Sequence, residues 1–267
     1  MVPRAIRPLD DCFFYEVIEM KIKDAQKEFL HYTEEYRSLG TSCLLKIHHT
    51  FRVMNLCETI AKSLNLKKKD VEIAKLCGLL HDIGRFEQWR NFSSFDDSST
   101  VDHANLGVEV LEKDDYWKSY FTDESIKKTV FNSIRYHNKY SVPSDLSERD
   151  QMFCNIVRDA DKIDILYLYT RKEIHVDTEN QAFSPKVYQC LMMESQINRE
   201  DKKNKADWLA ISLGFLFGIN YEESLRILMK NDYYNKEIDI YQEETNNLEL
   251  KEQLENFRQK VKVYRKG

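Results

Sequence analysis

Apolar residues recur along this chain at helical spacing, and most of the stretches that carry them have a recognisable start or stop. The pattern predicts a polar first helix over residues 17–36. A second runs from a cap at Thr41 or Ser42 to about residue 64. A third starts from Asp70, stays apolar through Ile83 and stops at Gly84, read as a left-handed C-terminal position. The next stretch, "RFEQWRNFSSFDDSSTV", is polar and serine-rich and reads as a long loop of the kind that often carries function. Asp102 is placed as the cap of a helix to residue 113, and Asp123 as the cap of one ending near His137. The connector "NKYSVPSDLSERD" precedes a longer helix over 150–169, and Ser184-Pro185 starts another. The remainder, including "DWLAISLGFLFGI", is again helical, and no internal repeat is evident. The expected fold class is all-α. It comprises a compact helical core over 45–170, an N-terminal extension over 1–44 packed on it, and a C-terminal elaboration over 171–267 of the same globule.

Some polar residues break this pattern by standing on apolar faces. In the second helix Leu45, His49, Val53, Leu56, Ile60 and Leu64 share one side, whereas His48 falls in a polar stripe with Arg52, Asn55 and Thr59. His103 lies with Gly107, Val110 and Leu111, and His137 continues the face of Ile126, Val130 and Ile134. Asp161 sits with Phe153, Val157, Ala160 and Leu168, and Asp164 shares that face. His81 and Asp82 stand side by side in the apolar "LCGLLHDIGRF".

A single inward histidine is usually a hydrogen-bonded core residue, and an inward aspartate usually pairs with a cation such as Arg158 or Lys162. Several such sites on separate helices need a common explanation, because an unpaired buried charge is costly. A metal cation supplies one. It neutralises carboxylates and takes neutral imidazole as ligand, and the negative end of the third helix dipole suits it.

Composition narrows the choice of partners. The 267 residues carry a formal charge of −5, which argues against general nucleic-acid binding. Only 7 glycines and 4 prolines leave little turn chemistry for many short strands. No apolar run is long enough for a membrane span, and the N-terminal stretch lacks a signal-peptide core. The six cysteines are scattered, several in apolar helices, and read as reduced core thiols of a cytoplasmic protein.

"HTFRV" from His49, "LLHDIG" from Leu79 and "RDADKID" from Arg158 together resemble the hallmark segments of the HD-domain superfamily of metal-dependent phosphohydrolases. The resemblance covers roughly residues 45–170 and implies a compact helical bundle. It implies that His49, His81, Asp82 and Asp161 bind a first divalent metal. His103 and His137 match the further histidines of binuclear members, in which Asp82 would bridge the ions and be central to catalysis. "YHNKYSVP" lacks the second histidine and the Gly-Tyr-Pro element of the cyclic-di-GMP-hydrolysing branch, so that substrate is not expected.

The expected activity is metal-dependent hydrolysis of a phosphate ester, in a nucleotide or another small phosphorylated compound. The ions, two in number, would be Mn, Fe, Mg, Zn, Co or Ni. Arg52, Arg85 and Lys162 are the cations expected against phosphate, and the serine-rich loop at 93–100 is a candidate cover for the substrate. A non-catalytic nucleotide sensor and a di-iron oxygenase are alternative readings of the same scaffold.

Overall fold

The computed structural model describes the backbone of residues 10–264 and the side chains of 22–263, so the Cys12 thiol lies outside the described residues. Regular structure among them is helical throughout. α1 spans Asp10–Glu34, and a 3-10 turn over Arg37–Leu39 leads to α2, Thr41–Ser63. α2 starts directly after Gly40, whose φ of 116° supplies the change of direction, so neither Thr41 nor Ser42 acts as a cap. α3 covers Lys68–Leu80. It too lacks a side-chain cap. Asp70 falls inside its first turn and pairs with Arg149 at 2.6 Å.

Gly84 differs from its expected role. It is the first residue of α4, Gly84–Phe92, so half of the predicted loop is helix. What the position demands is closeness. A Cβ at Gly84 would lie 2.2 Å from the His103 carbonyl oxygen and 2.5 Å from the Gly107 nitrogen. α4 therefore presses backbone to backbone on α5, His103–Lys113. Gly78 plays the same part between α3 and α2, where a Cβ would meet Cys57 Sγ and Met54 Cα at 2.9 Å. These two crossings draw the helices that carry His49, His81, Asp82 and His103 together.

Asp102 and Asp123 act as expected. Asp102 accepts from the Ala104 N–H, and Asp123 accepts from the N–H groups of Ser125 and Ile126. Between α5 and the second of these starts lies α6, Asp115–Tyr120; α7 is Glu124–Tyr136 and α8 is Glu148–Thr170. The chain divides into two compact units between Val157 and Arg158, within α8. In the first, α3 packs on α1, α2 and α7, while α5 packs on α4, α6 and α7. Its core includes Leu79, Leu80, Ile83, Trp117 and Ile134, with Phe29 and Phe86 edge to face at 5.8 Å. Thr129 on α7 donates to Asp150 on α8 at 2.7 Å.

The second unit holds α9 (Pro185–Met192), α10 (Ala206–Leu213), α11 (Glu222–Asn231), α12 (Tyr233–Glu244) and α13 (Leu248–Tyr264). Pro185 opens α9 as predicted, although the Ser184 hydroxyl makes no cap bond. α9 packs on α10 and α13, and α12 on α11 and α13. Leu191, Leu209, Ile238, Leu254 and Phe257 are buried there. Cys43, Cys57, Cys77 and Cys154 are buried free thiols. No described helix is long and apolar enough to cross a membrane.

Candidate metal centre

The centre forms in the first unit around the carboxylate of Asp82. Its residue lies in the short turn between α3 and α4, so one helix ends and the next begins beside it. The two neighbouring histidines of α2 fall on the sides that its periodicity predicts: His49 is buried and His48 is exposed. His81, His103 and His137 are buried as well.

The two oxygens of Asp82 divide these histidines into pairs. Oδ2 lies 3.5 Å from His49 Nε2 and 3.6 Å from His81 Nε2. Oδ1 lies 3.3 Å from His103 Nε2 and 3.6 Å from His137 Nε2. Within each pair the rings face nitrogen to nitrogen, at 3.3 Å for His49 with His81 and 3.0 Å for His103 with His137.

The other ring nitrogens decide what those facing atoms carry. His81 Nδ1 donates to the Gly78 carbonyl at 2.7 Å, and His137 Nδ1 donates to the Ile134 carbonyl at 2.7 Å. A carbonyl only accepts, so both Nδ1 atoms hold a proton, and in a neutral ring that leaves Nε2 bare and turned inward. His103 Nδ1 is likewise held by Asp97, 2.7 Å from Oδ2. Burial and the nearby Arg85 guanidinium push the His103 pKa down, keeping its ring neutral. His103 and His137 thus oppose two lone pairs across a short distance, which is a repulsive arrangement unless a cation lies against them. The donor set, neutral imidazoles oriented through Nδ1 around a carboxylate, suits a divalent transition metal. His49, His81 and Asp82 offer one group of ligand atoms, and Asp82, His103 and His137 a second.

Asp82 remains ionised in this enclosure. Burial alone would raise its pKa, but the Lys46 ammonium outweighs that and holds it well below the usual carboxylate range. Lys46 Nζ is 2.6 Å from Oδ2, and Arg85 Nε is 3.6 Å from Oδ1.

Lys46 and Asp97 were not singled out from the sequence. Lys46 stands one turn before His49 on α2, a spacing that a search for cations beside the ligands would catch. Asp97 sits in the serine-rich loop and gave no signal. It accepts from His103, from Arg85 Nη1 at 2.8 Å, from Gln88 Nε2 at 2.9 Å and from Asn138 Nδ2 at 3.2 Å. Those donors outweigh its partial burial and hold its carboxyl far below the usual range.

The three cations expected at phosphate fare differently. Arg85 is at the centre, but its Nη1 is committed to Gln88, to the Phe95 carbonyl and to Asp97, so it anchors the loop over 93–102 as well as flanking Asp82. Arg52 lies half-buried on α2. Lys162 is buried in the second unit and donates to the Gly218 carbonyl, a contact that holds the 3-10 segment Gly214–Gly218. Its burial, with the repulsion of Arg158, lowers its pKa to about 8. Asp161 also belongs to the second unit and is half-buried on α8, not fully enclosed as the apolar stripe around it predicted.

The profile of the HD domain matches residues 47–167. Over 92 residues the chain is 36% identical to ribonuclease Y 1 of Pediococcus pentosaceus, covering 34% of this chain and 14% of that protein. It is 30% identical over 95 residues to ribonuclease Y of Mycoplasmoides gallisepticum, covering 32% of this chain and 15% of that one. The chain thus spans only about one-seventh of the length of either relative. No solved structure matches it. The matched stretch, residues 47–167, contains every histidine and aspartate of the predicted ligand set, and over it the chain is similar to the HD domain.

Proposed function

We propose that this protein hydrolyses a phosphate ester bond in a nucleotide or another small phosphorylated compound, with two divalent ions held around Asp82. The observation that carries this reading is the division of the Asp82 oxygens. Each faces its own pair of histidines, as a bridging carboxylate requires. Bound there, divalent ions supply an activated water at neutral pH and positive charge for the phosphoryl oxygens.

The chain's own residues do the rest. His49 and His81 form the first half of the centre, and His103 and His137 the second. The Gly78 and Ile134 carbonyls and the Asp97 carboxylate fix the rings, so that the ligand nitrogens need no reorganisation. Asp82 sets the separation of the two halves. Arg85 secures the loop beside the centre through Nη1 and places its buried Nε 3.6 Å from Asp82 Oδ1. Asp161 joins the first half on the strength of the family resemblance.

The ribonuclease relatives favour one specific bond within this class, the phosphodiester of a ribonucleotide. The net charge of −5 favours a short substrate over a long RNA chain.

The test is metal analysis of the full-length protein, followed by chelation, reloading with Mn, Fe, Co, Ni, Zn or Mg, and assay. Substrates are mononucleotides, bis(4-nitrophenyl) phosphate and a short single-stranded RNA, with and without oxygen. Turnover that is lost on chelation, returns with a divalent ion and proceeds without oxygen supports the proposal. Two bound irons with oxygen-dependent turnover support the oxygenase reading instead. Ligand binding without turnover in any metal supports a sensor.

A further inference from the structure

The groups that touch Asp82 differ sharply in how far they reach solvent. The side chains of His49, His81, His103 and His137 are at most 2% exposed. That of Lys46 is 19% exposed and that of Arg85 13%. Of the groups that touch Asp82, these two cations are the ones that reach solvent most. They also converge on one ring, with Lys46 Nζ 5.6 Å and Arg85 Cζ 5.8 Å from the centroid of Phe95.

The two cations are not equally available. Arg85 commits its Nη1 to Gln88, the Phe95 carbonyl and Asp97, and its Nε is buried beside Asp82 Oδ1. Lys46 reaches Asp82 through Nζ, and an ammonium has three hydrogens to donate. Its contact with Asp82 answers a need of the metal-free carboxylate, a buried anion that must have a counter-charge. Once divalent ions neutralise Asp82, that need is gone. A flexible four-carbon stem then carries a strongly hydrated point charge at the mouth of the centre, the form in which lysine ordinarily binds phosphate.

We propose that Lys46 is a phosphate-binding residue of this centre, held on Asp82 in the metal-free protein and released to the phosphoryl oxygens when divalent ions take the carboxylate. The inference rests on the phosphohydrolase reading above, and its test separates the two.

Full-length wild type, Lys46→Gln and Lys46→Arg are melted with and without saturating Mn²⁺, and the Mn²⁺-loaded forms are titrated with inorganic phosphate by calorimetry. The metal-free Lys46→Gln protein should melt lower than wild type, and Mn²⁺ should raise its melting temperature by more than it raises that of wild type. Loaded with Mn²⁺, it should bind phosphate about ten- to a hundredfold more weakly, the loss expected for one charge-assisted contact. Lys46→Arg should recover most of that affinity. Should Lys46→Gln prove too unstable without metal, the phosphate affinities of the loaded wild type and Lys46→Arg, with Lys46→Met as the uncharged variant, carry the comparison. If Mn²⁺ leaves wild type unshifted, the metal-dependent reading itself fails. If Mn²⁺ shifts wild type but phosphate binds Lys46→Gln as tightly as wild type, or binds neither, the Lys46 assignment is overturned while the metal centre stands.

Discussion

His103 and His137 face each other Nε2 to Nε2 at 3.0 Å, while Asp97 and the Ile134 carbonyl hold their Nδ1 atoms. Neither ring can turn its N–H toward the other without giving up that second contact. If a cation relieves this opposition, changing both residues to Ala removes one metal equivalent and leaves the other half of the centre loaded. Elemental analysis of the purified double variant should read one equivalent less than wild type, with unchanged helical circular dichroism. Unchanged stoichiometry would return both residues to the core.

Asp97 touches no proposed substrate atom, yet it orients a ligand. Asp97→Asn keeps the shape but loses the anion that receives the His103 proton. Changing a group that holds the far nitrogen of a metal-binding imidazole costs about ten- to a hundredfold in metal affinity or activity. Competition with a fluorescent chelator should show the loss confined to one of the two metal equivalents. Equal loss of both would assign Asp97 to the fold and not to His103.

Gly84→Ala tests the backbone crossing that delivers His103. The added methyl has no room against the His103 carbonyl, so α4 and α5 must separate. Overpacking of this kind costs about 1–3 kcal/mol, and here the strain falls directly on a ligand-bearing residue. Denaturant unfolding should show the lost stability, and metal binding should weaken with it. A fully stable, fully loaded variant would contradict the close approach.

These residues also mark how far the sequence could be read. His49 was separable from His48 because α2 is a regular helix with one buried side, so periodicity alone decides between neighbours. Gly84 was misread because a glycine needed for a left-handed turn and one needed for close approach look identical in one dimension. The length of α4 was missed because "RFEQWRNF" has few apolar positions, although Phe86 is almost fully buried. Asp97 and the Gly218 partner of Lys162 were invisible for another reason: each contact joins residues whose meeting depends on how a loop folds back. Lys46 is legible from its spacing to His49, one turn away on α2.

Asp161 is the member of the ligand set that rests on resemblance. Asp161→Ala should reduce metal bound by the His49 half while sparing the His103 half. Metal analysis of Asp161→Ala combined with the His103 and His137 double variant would then show an empty centre. A retained equivalent would remove Asp161 from the set.

A buried acid in the second unit makes a separate prediction about pH. Glu237 on α12 is fully buried, and its Oε1 lies 2.7 Å from Ser212 Oγ, which also lies 2.7 Å from the Leu209 carbonyl oxygen. One hydroxyl proton cannot serve both oxygens. A protonated Glu237 donating to Ser212 Oγ, with Ser212 donating to Leu209, gives each proton one acceptor, and only the Oε2 oxygen is left without a partner. Burial raises the Glu237 pKa to about 8, from its ordinary value of 4.5. Its stability contribution is therefore intact below pH 4.5 and is lost as pH rises through about 8. The cost at pH 7 is on the order of 3 kcal/mol. Glu237→Gln should melt higher than wild type at pH 8 and close to it at pH 4.5. A difference independent of pH would mean that Glu237 is ionised in the fold.

The central claim is that Asp82 holds the catalyst, and Asp82→Asn tests it most directly. The amide keeps the shape of the carboxylate but cannot balance or bridge two cations, and it leaves Lys46 and Arg85 without their shared anion. Bound metal in Asp82→Asn, measured by elemental analysis alongside hydrolysis of bis(4-nitrophenyl) phosphate, should fall to near zero together with turnover, while the helical signal persists. Two equivalents of metal and wild-type turnover in that variant would contradict the account.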